Sequence, residues 1–135
     1  MAPDDGGDAD SARCPCSSGE VFGSCCGPIL ARTALAPTAE RLMRSRYTAF
    51  VVGDAHHLRA SWHPSTRPHS LEFDDNVHWR RLVVLDRRAG GPFDREGVVE
   101  FEAHWIQSGE RGALHERSRF VREQREWFYV DGELL

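Results

Sequence analysis

The spacing of apolar side chains changes part-way along the chain, and the change divides it into a helical and a strand region. Leu42, Met43, Tyr47, Phe50 and Val51 recur at three- and four-residue intervals, which predicts one apolar face of a helix. Thr38 supplies its N-cap, Glu40 sits in the first turn where it favours the dipole, and Gly53 stops it. Asp54 caps a second, shorter helix over Ala55 to Ser61, which must end before Pro64. A third helix is expected around Thr66 to Asp75, kept short by Pro68. Residues 29–36 read as a linker.

From Val77 onward the period is two. Strands are predicted over Val77–Arg87, Val98–Gln107, Ala113–Glu123 and Trp127–Asp131. Gly90-Gly91-Pro92, Ser108-Gly109 and Gln124-Arg125 separate them. Helices followed by strands on short loops imply an α+β fold with an antiparallel sheet, helices on one face and water on the other. Val99, Phe101, Ala103 and Trp105 share the inward face of the second strand. The same alternation turns Leu114, Glu116, Ser118 and Phe120 inward on the third. Glu116 is therefore a carboxylate on the covered face, which is costly unless it is paired or hydrogen-bonded.

Composition narrows the classes. The 135 residues suit one domain with a short appendage. Net charge is −4 and all 17 basic residues are arginine, so no global basic field attracts nucleic acid. Arg111, Arg117, Arg119, Arg122 and Arg125 interleave with Glu110, Glu123 and Glu126, which reads as a solvated sheet face. No apolar run is long enough for a membrane span. Residues 1–12 are acidic and Gly-rich, so they are expected to be disordered. They contain no basic and no apolar leader region, and a cytoplasmic protein is expected.

The most specific chemistry is the run CPCSSGEVFGSCCG. Cys14, Cys16, Cys25 and Cys26 form two short-range pairs, with Pro15 stiffening the first. Gly19 and Gly23 permit the reversal that brings the second pair back to the first. Four converging sulfurs suit tetrahedral Zn²⁺, and four protein ligands leave no open position, so the predicted zinc is structural. Two disulfides are the competing reading. A bridge between adjacent Cys25 and Cys26, or across Cys14-Pro15-Cys16, would be strained, and nothing here points to secretion.

This stretch resembles the SEC-C zinc motif, found at the C-terminus of the bacterial SecA ATPase and in many small bacterial proteins. Cys14, Pro15, Cys16, Cys25 and Cys26 match its frame, C-P-C-x₈-C followed by Cys or His. Ser17-Ser18-Gly19 stands near the usual Gly-Ser-Gly. Glu20, Val21, Phe22 and Gly23 occupy a spacer that commonly holds lysines, which turns the expected partner toward protein and away from lipid or nucleic acid. The remainder resembles the YchJ-like family of bacterial proteins. LMRSRYTAFV at Leu42–Val51, SWHPSTRP at Ser61–Pro68, HWRRLVVLD at His78–Asp86, HERSRFV at His115–Val121 and WFYVDG at Trp127–Gly132 carry that likeness. The resemblance implies a nuclear-transport-factor-2-like, cystatin-like cone over residues 37–135, a curved antiparallel sheet around the N-terminal helices with a pocket. A zinc module over residues 13–28 precedes it. It implies no biochemical role.

Two functional readings follow. One is a small zinc-binding module for a protein partner or a ligand. The other is an enzyme or small-molecule receptor using the cone pocket, where Arg46, Tyr47, Trp62, His63 and Glu116 are expected to meet. Within it Glu116 either bridges to Arg46 or Arg44, the preferred reading, or forms an acid/base pair with His63. No residue is assigned as catalytic. The adjacent His56 and His57 point apart, and they and the scattered His69, His78 and His104 are expected at the surface.

Overall fold

The computed structural model describes residues 10–135. Most of the acidic tail, and its expected disorder, thus lies outside the described residues. Ala12 is already held, because its carbonyl accepts from Phe22 N at 2.8 Å.

Three helices and four strands follow the cysteine stretch: α1 (Cys26–Leu30), α2 (Ala39–Val52), α3 (Ala55–Ala60), β1 (His78–Ala89), β2 (Glu96–Gln107), β3 (Glu110–Glu123) and β4 (Glu126–Leu134). The expected linker is partly helical, since α1 begins at Cys26 and its first turn accommodates Pro28 without losing a helical bond. The third helix expected around Thr66 to Asp75 does not form. Pro68 interrupts it, and Asp74 Oδ1 accepts from Asn76 N at 3.0 Å to make a turn instead.

Capping sets the limits of α2. Thr38 Oγ1 accepts from Arg41 N at 3.1 Å, and Gly53 closes the helix in the left-handed region at φ 78°. Its buried face is not wholly the predicted apolar stripe. Leu42, Met43 and Tyr47 are buried, but Phe50 and Val51 are partly exposed and Arg46 takes a place in the core. Asp54 caps α3 by accepting from His57 N at 3.0 Å.

The four strands pair in sequence order, all antiparallel. Irregularities in β1 at Trp79/Arg81 and Val84/Asp86, and between β3 and β4 at Arg119/Phe120, bend the sheet. Its concave face carries Leu82, Val99, Phe101, Ala103, Ser118, Phe120 and Trp127, all buried. The convex face is laced by charge pairs, including His115–Glu100 at 2.7 Å and Arg119–Asp131 at 2.7 Å. The expected division into a covered and a wet face is realised.

The β2–β3 and β3–β4 turns are two-residue hairpins with both central residues at positive φ. In the second of these Gln124 and Arg125 adopt that conformation without glycine's freedom. The edge of β4 is covered by the residues after α3. Tyr129 N donates to Ser61 O and His63 N donates to Tyr129 O, each at 2.8 Å. That pairing fixes the faces of the two side chains between them: Trp62 turns inward and His63 outward.

Candidate functional site

Two centres emerge, a sulfur cluster at the front and a cavity between α2 and the sheet. The cluster is built by two tight turns. Cys14 N donates to Glu20 O at 2.8 Å, and Ser17, at φ 68°, and Gly19, at φ 90°, turn the chain back. Cys25 and Cys26 arrive on a 3₁₀ turn and the start of α1. All four sulfurs are buried and lie within 4.8 Å of one another. Cys16 Sγ and Cys25 Sγ are 3.6 Å apart, and all four cysteines are free of disulfides. A tetrahedron with metal–sulfur arms of about 2.3 Å has edges of roughly 3.8 Å, so the donor set fits a single ion.

Hydrogen bonds tune the sulfurs. Arg41 Nη1 donates to Cys25 Sγ at 3.1 Å, Thr48 Oγ1 to Cys26 Sγ at 3.3 Å, and Ser18 Oγ lies 3.2 Å from Cys25 Sγ. Such donors favour thiolates and orient the ligands of a metal. Contacts with the Cys16 and Cys26 side chains hold the Cys14 thiol down to about 3, while shared bonding with Cys14 and Cys16 pushes Cys26 up.

The cluster is not a separate bead on the chain. Arg44 Nη1 donates to Cys16 O at 2.8 Å, Arg41 Nη2 to Cys25 O at 3.2 Å, and Leu82 N on β1 to Ser17 Oγ at 3.1 Å. The four cysteines share one buried cluster with Leu42, Met43, Tyr47 and Leu82. The module is therefore continuous with the main core.

The cavity measures about 200 Å³. Met43, Tyr47, Phe50, Trp79, Phe101 and Leu114 make its apolar wall; Arg46, Trp62, Glu116, Ser118 and Tyr129 make a polar end. The sequence-predicted Arg46, Tyr47, Trp62 and Glu116 are brought together here. His63 is not. It lies on the far side of the Trp62–Tyr129 bridge, where Nδ1 meets Ser65 Oγ at 2.7 Å and Nε2 meets Glu123 Oε1 at 3.1 Å. The alternative Glu116–His63 pair does not form, because neighbouring residues on an extended segment face opposite ways.

The expected salt bridge is absent too. Arg44 is held by Glu40 at 2.9 Å and by Cys16 O. Arg46, 3% exposed, donates through Nη1 to Leu58 O at 2.8 Å and Ser61 Oγ at 2.7 Å. Its guanidinium lies over the rings of Trp62 and Tyr129, 4.8 and 4.3 Å from their centroids. Burial pulls it down to about 10, so it is still a cation at neutral pH. Glu116 instead bonds to neutral groups: Oε2 accepts from Ser118 Oγ at 2.8 Å and from Tyr129 OH at 3.4 Å. Burial, with Glu116 next to it, pushes the Tyr129 phenol up to about 12.

His57 was expected at the surface and is buried, 1% exposed, with Nε2 2.9 Å from Ser45 Oγ and Nδ1 without a partner. Adjacent helix positions lie about 100° apart around the axis, and here His57 shares the buried side with Leu58 while His56 is exposed. Burial, and secondarily the Arg46 charge, pull its pKa from 6.5 down to about 4. Its folded value lies below its unfolded one, so between pH 6.5 and about 4 the unfolded chain binds more protons and stability falls as pH falls. The full loss is about 3 kcal/mol. Urea unfolding at pH 7 and pH 4.5 should show that His57→Gln is markedly less acid-sensitive than the parent; equal losses in both proteins would rule this out.

Sequence reasoning also missed Arg41 and Thr48 as donors to sulfur, and Trp79, Ser118 and Tyr129 in the cavity. Of these only Ser118 was placed inward by the strand period, and that signal does not separate wall from core.

Comparisons with known proteins agree with this picture. Residues 38–132 match the family model described as YchJ, middle NTF2-like domain. A UPF0225 protein of Streptomyces coelicolor is 49% identical over 122 residues, covering 90% of this chain and 95% of the relative. The solution structure of a SEC-C motif containing protein from Rhodopseudomonas palustris superposes with a TM-score of 0.79 at 34% identity, covering 90% of this chain and 98% of that one. The crystal structure of a SEC-C motif containing protein from Psychrobacter arcticus gives 0.75 at 26% identity, with 90% and 82% covered. No helix among the described residues is long and apolar enough to cross a membrane.

Proposed function

Since the chain belongs to the YchJ family and carries that family's NTF2-like domain, we propose that it binds a small molecule in the cavity between α2 and the concave sheet, with Cys14, Cys16, Cys25 and Cys26 holding a structural Zn²⁺. The observation that carries this reading is the cavity itself. A domain this small leaves about 200 Å³ open at its centre and sets a buried cation and a carboxylate at one end. Close packing is the rule in protein interiors, and a concave apolar site with a few convergent polar groups is the usual form of a ligand site.

Zinc is the ion this donor set favours, because four thiolates in tetrahedral array suit it and fill its coordination. With every position taken by protein, the ion supplies a cross-link and not a reacting centre. A protein partner docked on the cysteine module is the weaker reading, because Cys25 Sγ and Cys16 O are bonded to α2 and the Ser17 hydroxyl to β1. Binding is favoured over catalysis because Glu116 is bonded to Ser118 and Tyr129 and His63 is elsewhere.

Ala103 lines the cavity and is 4% exposed, so a phenyl ring there would occupy it. Toluene-sized fragments should raise the melting temperature of the parent protein and leave that of a folded Ala103→Phe variant unchanged. Equal responses in the two proteins would remove the cavity as the site.

A further inference from the structure

Resting on the cavity reading, we propose that the site selects a small ring compound bearing a hydrogen-bond donor, an amine before an alcohol, and rejects carboxylates, with Glu116 as the residue that reads the donor. Size comes first. Drug-sized ligands occupy roughly 300–1,000 Å³, so a cavity of about 200 Å³ takes a molecule of on the order of ten non-hydrogen atoms. The wall is aromatic on one side, where Trp79 meets Tyr47 at 6.2 Å and Phe50 at 6.4 Å between centroids. A single ring is the shape that such a space accepts.

The polar end then decides what the ring carries. Arg46 is the cation of this end, with Nη1 bonded to Leu58 O and Ser61 Oγ and its flat faces covered by Trp62 and Tyr129. Ser118 and Tyr129 direct their hydroxyls at Glu116 Oε2. Trp62 Nε1 is fully covered. Glu116 Oε1 has no hydrogen-bond partner among the described residues, and Glu116 lines the cavity. To a ligand this end therefore offers one open acceptor, Glu116 Oε1, beside the Arg46 cation. A carboxylate set against Oε1 would meet like charge at close range, whereas an amine completes its bonding.

Gly132 on β4 supports the assignment from an independent direction. Its φ is not among the positive values, so its backbone is open to any residue. A Cβ at Gly132 would nevertheless overlap the Glu116 carboxylate. The missing side chain is explained by the carboxylate that lies in its place, and Gly132 acts as a positioning residue for Glu116.

Titration of the metal-loaded 135-residue protein with benzylamine, benzyl alcohol, toluene and benzoate at pH 7, followed by amide chemical shifts, tests the proposal. Benzylamine should bind tightest, benzyl alcohol next, toluene at least tenfold more weakly than the amine, and benzoate weakest. Glu116→Gln should bring the amine-to-toluene ratio to within about threefold while toluene affinity stays the same. Gly132→Ala should narrow the same ratio by displacing the carboxylate, an effect that simple loss of stability would not produce. Benzoate binding as tightly as benzylamine would overturn the proposal and make Arg46 the reading group. Four probes binding alike would overturn it as well, while leaving the cavity as a ligand site. If none of the four shifts a cavity amide, the cavity reading itself fails and this selectivity with it.

Discussion

Removing the metal proposed for the cysteine cluster is expected to unfold the whole domain in one transition, not the front module alone. The cluster's sulfurs and carbonyls are bonded to Arg41, Arg44 and Thr48 of α2 and its Ser17 to β1, and its cysteines pack in the same core as Leu42 and Tyr47. Without the ion, four buried thiols must share protons in a space shaped for one cation, and the turn at Ser17 and Gly19 loses its closure. Structural zinc is worth about 10–16 kcal/mol in small finger peptides, comparable to the total stability of an ordinary domain. Even if only about 4 kcal/mol reaches the global equilibrium, the melting temperature of a chain this size falls by roughly 10–20 °C. Chelation, or Cys16→Ser, should therefore shift the far-UV transition and the loss of tryptophan packing together. If sheet amides keep their exchange protection while residues 13–28 lose theirs, the module is autonomous and this coupling is wrong.

Arg46→Ala should be the most damaging single change at the cavity, costing roughly 3–5 kcal/mol. It removes a charge-assisted hydrogen bond to Leu58 O, the contact with Ser61, and a cation held over two rings, and it enlarges a cavity that is already open. Glu116→Gln should cost about 1 kcal/mol or less, because an amide oxygen can still accept from Ser118 and Tyr129. Urea unfolding of the two variants checks the asymmetry. Equal and large losses would mean that the two residues act as a tight ion pair, as the sequence had suggested.

The difference between those outcomes shows where sequence reading stops. The strand period placed Glu116 on the covered face correctly, since alternation is a local property of extended backbone. It could not choose the partner, because that depends on how β3 lies against β4 and on the absence of a side chain at Gly132. The helical period of α2 likewise located Leu42, Met43 and Tyr47, but it placed Phe50 and Val51 on the apolar face, and both are partly exposed. The aromatic pair Trp62 and Tyr129, brought together only by the pairing of Ser61 to His63 with β4, is what makes a buried guanidinium tolerable there. The cysteine spacing was legible because ligand geometry is written within a few residues. The docking of that module onto α2 was not, because Arg41, Arg44 and Thr48 are ordinary helix residues until the fold brings sulfur to them.

The proposed working surface is the cavity and not the cysteine module. Amide shift mapping of the zinc-loaded protein with benzylamine addresses it directly. The predicted result is that shifts concentrate at Met43, Phe101, Leu114 and Ser118 and leave residues 13–28 still. Shifts centred on residues 13–28, with the cavity amides unmoved, would contradict it.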